Sequence, residues 1–90
     1  MELKELRCWI DEIDDQLVKL FVQRMEVSAQ VAAYKKEHQL PIFVQTREQE
    51  KLDDVAQKAG VEMADYTKAL YEAIFELSRN YQSKLMDEDI

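Results

Sequence analysis

From Leu3 the apolar positions run Leu3, Leu6, Ile10, Ile13, Leu17 and Leu20, in steps of three and four. That spacing marks one face of an α-helix, and its regular alternation marks a heptad seam. The register continues through Arg24, Val27, Val31 and Tyr34, and neither Gly nor Pro interrupts it before Pro41. The pattern predicts one helix over about residues 2–38. Pro41 stops it, and Leu40, placed before a proline, is biased toward extended backbone. A connector over 39–45 follows. Thr46, with Gln49 three positions on, has the form of a capping box. A second helix is therefore expected over about 46–59, with Glu48, Leu52, Val55 and Ala59 on one stripe and Gly60 as its C′ residue. A third is expected over about 63–85, burying Tyr66, Leu70, Ala73, Ile74, Leu77 and Tyr81. The acidic tail from Met86 to Ile90 is expected to fray. The fold class is all-α, three helices in a single domain over 1–90, with a long first helix.

That first helix is too long for its own globule. About 36 residues at about 1.5 Å each span roughly 54 Å. A compact domain of this size has a radius of gyration of about 12 Å. The overhang stays apolar along its seam, and a second copy is the simplest cover. The expected assembly is an intertwined helical homodimer. The competing arrangement is a first helix kinked near Arg24 and folded back.

Composition narrows the partners. Charged residues make up 34% and hydrophobic residues 47%, the mix of a water-soluble helical protein. A net charge of −7 argues against nucleic acid or an anionic membrane surface as partner. No apolar run approaches the roughly 20 residues that span a bilayer. The stretch after Met1 lacks the apolar core of a signal peptide. Cys8 is the single cysteine, so no internal disulfide forms, and a reducing cytoplasm is expected with Cys8 as a packed or interface thiol. No residues show metal-ligand spacing, and neither metal nor cofactor is expected.

The informative residues are polar ones on apolar stripes. Arg24 takes a seam position. Ser28 and Lys35 lie near the same face, since the step from Arg24 to Lys35 is close to three turns. Glu48 interrupts the stripe of the second helix, with Arg47 beside it. Ser78 and Gln82, four apart, stack on one side of the third. Cations are costly to bury without partners. Several of them on separate helices predict a polar cavity between helices, and an anionic guest within it. Arg7 precedes Arg24 by 17 residues, which is roughly 25 Å along a straight helix and about 100° around it. It cannot serve that cavity in its own chain, but an antiparallel dimer brings it to the partner's. Asp14 reads as structural, Trp9 and the tyrosines as packing, and His38 as a complement to the helix dipole. Lys36, Glu37, Lys51, Asp53 and Asp54 read as solvated.

The segments LRCWIDEIDDQLVKLFVQR, VAAYKK, PIFVQTREQE and ELSRNYQ carry Arg7, Asp14, Arg24, Lys35, Arg47, Glu48, Ser78 and Gln82 at a combined spacing that resembles the all-helical class of chorismate mutases. The likeness covers nearly the whole chain. It implies a three-helix protomer dimerised through its first helix, and conversion of chorismate to prephenate in aromatic amino acid biosynthesis. By position it implies that Arg7 crosses the dimer, that Arg24, Arg47 and Ser78 bind substrate carboxylate, and that Glu48 accepts from the ring hydroxyl. Lys35 and Gln82 would donate to the ether oxygen. Val44 departs from the pattern, standing where many members carry an acid. Two other readings stay open: an isochorismate-pyruvate lyase on the same fold, and a non-catalytic dimerisation or regulatory module. The cations on apolar stripes argue against the last, because apolar replacements would stabilise a mere interaction module.

Overall fold

The computed structural model describes residues 1–87. The chain forms α1 (Leu3–Glu37), α2 (Gln45–Ala59) and α3 (Ala64–Asp87), with no strand among the described residues. α3 packs against both α1 and α2. The molecule measures 54 × 27 × 14 Å, with a radius of gyration of 16.3 Å. That exceeds the value of about 12 Å for a compact domain of this length. No helix among the described residues is long and apolar enough to cross a membrane.

The excess length is α1. Every residue from Met1 to Leu20 is exposed. On the seam, Ile10, Ile13 and Leu17 are 55%, 61% and 53% exposed. Among the described residues the helix packs on the rest of the chain in its C-terminal half, where Ser28 and Ala32 are buried. Small side chains there let α3 approach closely. This packed stripe lies beside the seam rather than on it, so Val27 and Val31 stay open as well. Cys8 is exposed in the single chain, not packed within it.

α1 ends in a Schellman arrangement. His38 is the C-cap. The Leu40 N–H bonds to the Lys35 carbonyl at 2.8 Å and the Gln39 N–H to the Lys36 carbonyl at 3.3 Å. This pairing satisfies the last carbonyls and turns the chain sharply. Gln39 takes the left-handed position, at φ 56°. His38 stacks on Tyr34 and its Nδ1 lies 2.8 Å from the Tyr34 carbonyl.

The capping box expected at Thr46 does not form. Val44, in extended backbone, is the N-cap of α2, and no side chain caps it. The chain enters the helix at Gln45, so Thr46 already lies inside the first turn. Gln49 instead donates to Asp53 at 3.1 Å. Gly60 closes α2 as the C-cap itself, at φ 85° and ψ 164°, a backbone region that only glycine occupies without strain.

The expected buried face of α3 is also corrected. Tyr66, Leu70 and Leu77 are 73%, 50% and 50% exposed, and Ala73 is exposed too. The buried residues are Phe75 and Gln82, flanked by half-buried Tyr71 and Ser78. α3 is apolar on two sides, and the side turned inward is the one carrying polar groups that find partners. Ile74 and Tyr81 are half-buried. The helix runs through Asp87, so Met86 and Asp87 are helical rather than frayed; residues 88–90 of the expected tail lie outside the described residues. Among the described residues the buried hydrophobic side chains are Ala32, Val55 and Phe75.

Candidate active site

A cavity of about 540 Å3 opens among α1, the connector, α2 and α3. α1 lines it with Arg24, Ser28 and Lys35, and with seam residues Val27 and Val31. The seam that lies bare in the first half of α1 thus becomes a cavity wall in the second. α2 contributes Arg47 and Glu48 from its first turn, and α3 contributes Phe75, Ser78 and Gln82. Six of the seven candidate residues therefore meet in one place. The seventh, Arg7, is exposed and does not line the cavity.

Two further cations were missed. Lys51 and Arg79 also line the cavity. Lys51, expected to be solvated, is half-buried. It follows Glu48 by three positions and Arg47 by four, so all three share a face of α2; that spacing was the available signal. Arg79 adjoins Ser78 but no periodicity marks it.

Backbone carbonyls preset the two donors. Gln82 donates through Nε2 to the Ser28 carbonyl at 3.0 Å. A carbonyl only accepts, so the amide nitrogen, not the oxygen, must face it. One N–H of that amide remains for a guest. Lys35 donates through Nζ to the Ile42 carbonyl at 2.8 Å, leaving two more N–H groups. The Ser28 and Ser78 hydroxyls contact each other at 2.5 Å. Arg24 lies over the rings of Phe75 and Tyr71, 5.8 and 5.9 Å from their centroids. Such cation–π contact steadies a guanidinium without consuming its donors.

Glu48 forms an ion pair with Arg79. The Arg79 guanidinium in turn lies 5.0 Å from the ring centroid of Phe43 in the connector. At the outer edge, Asp54 accepts from Lys58 at 2.9 Å and from Lys51 at 3.5 Å. The Lys58 hydrogen bond is the main cause that holds the Asp54 carboxyl below its ordinary range. Among the described residues, five cationic side chains and a single carboxylate, Glu48, line the cavity. In a chain of net charge −7, this is a local reversal of sign suited to a small anion.

The family model described as chorismate mutase type II matches residues 6–83. The chain belongs to that family. The T-protein of Haemophilus influenzae is 42% identical over 62 residues, which cover 66% of this chain and 16% of that protein. The chain thus corresponds to a small part of that relative's length. No solved structure matches. Within this chorismate mutase fold, Val44 lines the cavity as the N-cap of α2. Its apolar side chain leaves Glu48 as the one carboxylate lining the cavity among the described residues.

Proposed function

We propose that this chain is a chorismate mutase that converts chorismate to prephenate, at a site completed by a second copy of itself. The observation that carries the reading is the pair of preset donors, Lys35 Nζ and Gln82 Nε2, in a cavity lined by five cations. The reaction is an intramolecular [3,3] shift. The ether C–O bond breaks as a C–C bond forms, and no proton or external group is exchanged. Catalysis then rests on two effects.

The first is geometric. The enolpyruvyl arm must be held over the ring, and positioning of this kind can supply several kcal/mol of the barrier. The two substrate carboxylates are the handles. Arg24 and Arg47 offer planar forks that match them, Ser78 offers a hydroxyl, and Glu48 accepts from the ring hydroxyl. The second effect is electrostatic. Negative charge gathers on the ether oxygen as its bond to carbon breaks. Donors already aimed there stabilise the transition state more than the ground state. Lys35 and Gln82 serve this role, oriented in advance by the Ile42 and Ser28 carbonyls.

The homodimer reading is supported by the bare seam of α1 and by a core of few buried side chains. An antiparallel partner would cover Ile10, Ile13 and Leu17 and carry its Arg7 to this cavity. We assign the whole chain to one mutase domain acting in aromatic amino acid biosynthesis, and its lone thiol suits a reducing cytoplasm.

Mixing purified protein with chorismate, following loss of its absorbance and identifying the product tests the reading. Prephenate should form, and Lys35→Ala should slow kcat by about 10²-fold. Release of pyruvate from isochorismate without turnover of chorismate would replace the mutase by a lyase. Inertness to both would leave a helical module without catalysis.

A further inference from the structure

We infer that Arg79 is a positioning residue: an internal counterion that holds Glu48 for the substrate hydroxyl and keeps it from capturing the cations that must bind substrate carboxylates. The inference rests on the mutase reading of this cavity and adds a residue to it.

The geometry is specific. Among the described residues, Glu48 is the carboxylate that shares the cavity lining with Arg24, Lys35, Arg47, Lys51 and Arg79. Among the described residues its ion pair is with Arg79, through Oε1. The two side chains are only 22% and 34% exposed, so water screens the pair less than it would on an open surface. Arg79 is itself fixed from the other side by the ring of Phe43. Lys35 holds the neighbouring carbonyl of Ile42. Two cavity cations thus grip adjacent connector residues, one by a hydrogen bond and one by a ring face.

Electrostatics supply the reason for such a device. Opposite charges in a partly buried cavity attract more strongly than they do on an open, water-screened surface. An unclaimed Glu48 would draw Lys35 or Arg47 onto itself in the empty cavity. Substrate would then have to break that pair before binding. Arg79, which no role in the rearrangement requires, occupies one carboxylate oxygen and leaves the other to accept from the ring hydroxyl.

The test measures kcat and KM for chorismate in Arg79→Met and Arg79→Lys, each alone and combined with Glu48→Gln, with thermal unfolding alongside. Arg79→Met should raise KM about ten-fold, the scale of one hydrogen bond to a charged group, with kcat changed much less. Arg79→Lys should recover part of the loss. Beside Glu48→Gln, Arg79→Met should add less than about two-fold, since no carboxylate remains to capture anything. If Arg79→Met does not fold, Arg79→Lys decides by the same comparison: its KM shift should vanish beside Glu48→Gln. A KM unmoved by Arg79→Met, or moved equally in both backgrounds, overturns the assignment, the second outcome being that of a purely structural residue. Failure of the wild type to turn over chorismate strikes the mutase reading instead. Calorimetric binding of chorismate then replaces KM, with the same background dependence expected, and absence of binding overturns both.

Discussion

Gln82 reaches across from α3 and donates its side-chain amide to the carbonyl oxygen of Ser28 on α1, 3.0 Å away. Both residues are buried, so the bond ties the two helices and fixes which end of the amide faces the cavity floor. If the second N–H serves the ether oxygen, Gln82→Ala should lower kcat by about 10²-fold or more. Gln82→Glu is more telling. A carboxyl donates only while protonated, and as an anion it would face the Ser28 carbonyl with a second acceptor. Its kcat should fall as pH rises through the carboxylate range, whereas the wild type should show no such loss tied to this position. Parallel pH profiles for the two proteins would remove Gln82 from the donor role.

Lys35 both holds the connector and faces the cavity. Lys35→Arg keeps the charge but replaces a compact point donor with a planar fork. It should stay folded and recover little of the activity that Lys35→Ala loses. Circular dichroism beside steady-state kinetics checks this, and near wild-type kcat in either variant would contradict the assignment.

The two unusual backbone positions predict opposite stability effects. Gln39 is left-handed at φ 56°, a conformation that costs a side-chain-bearing residue about 1–2 kcal/mol. Gln39→Gly should raise stability by about 0.5 kcal/mol, after part of the relief is lost to the greater freedom of the unfolded chain. Gly60 has φ 85° and no atom within 4 Å of where a Cβ would sit. Space is available, yet Gly60→Ala should still cost about 1–3 kcal/mol through backbone strain alone. Thermal unfolding of both variants at one protein concentration measures the difference.

The seam of α1 makes its own prediction. Burying an isoleucine side chain stabilises by about 1.5–3 kcal/mol, and in a symmetric dimer each substitution counts twice. Ile13→Asp should therefore weaken association by about 100-fold or more, by the relation of 1.4 kcal/mol per decade. Sedimentation equilibrium would register it. A change of self-association within three-fold would place the dimer contact elsewhere.

Periodicity carried the three helices, because steps of three and four leave little choice in a chain with one Gly and one Pro. Arg24, Lys35 and Glu48 were legible for a related reason: charges on apolar stripes need a cavity. The face of α3 was not. Hydropathy favours Leu70 and Leu77, while the inward side buries Phe75; Ser78 and Gln82 were marked by their stacking four apart, but no local pattern announces their partners on α1. Lys51 looked solvated although it follows Glu48 by three positions, a spacing that puts both on one face of α2. The left-handed turn at Gln39 was hidden because glycine, its usual marker, is absent. Arg79 shows the general limit: its meaning lies in Glu48 and Phe43, both distant in the chain.

The central claim, a mutase site shared between two copies, is tested most directly by mixing two disabled chains. Arg7→Ala and Lys35→Ala should each be nearly inactive as homodimers. Unfolded together and refolded, they should form mixed dimers in which one site takes Lys35 from the first chain and Arg7 from the second, and so has neither defect. Prephenate formation should return, to about a quarter of the wild-type rate: random pairing makes half the dimers mixed, and each holds one intact site of two. Mixed dimers no more active than the separate variants would contradict a shared site.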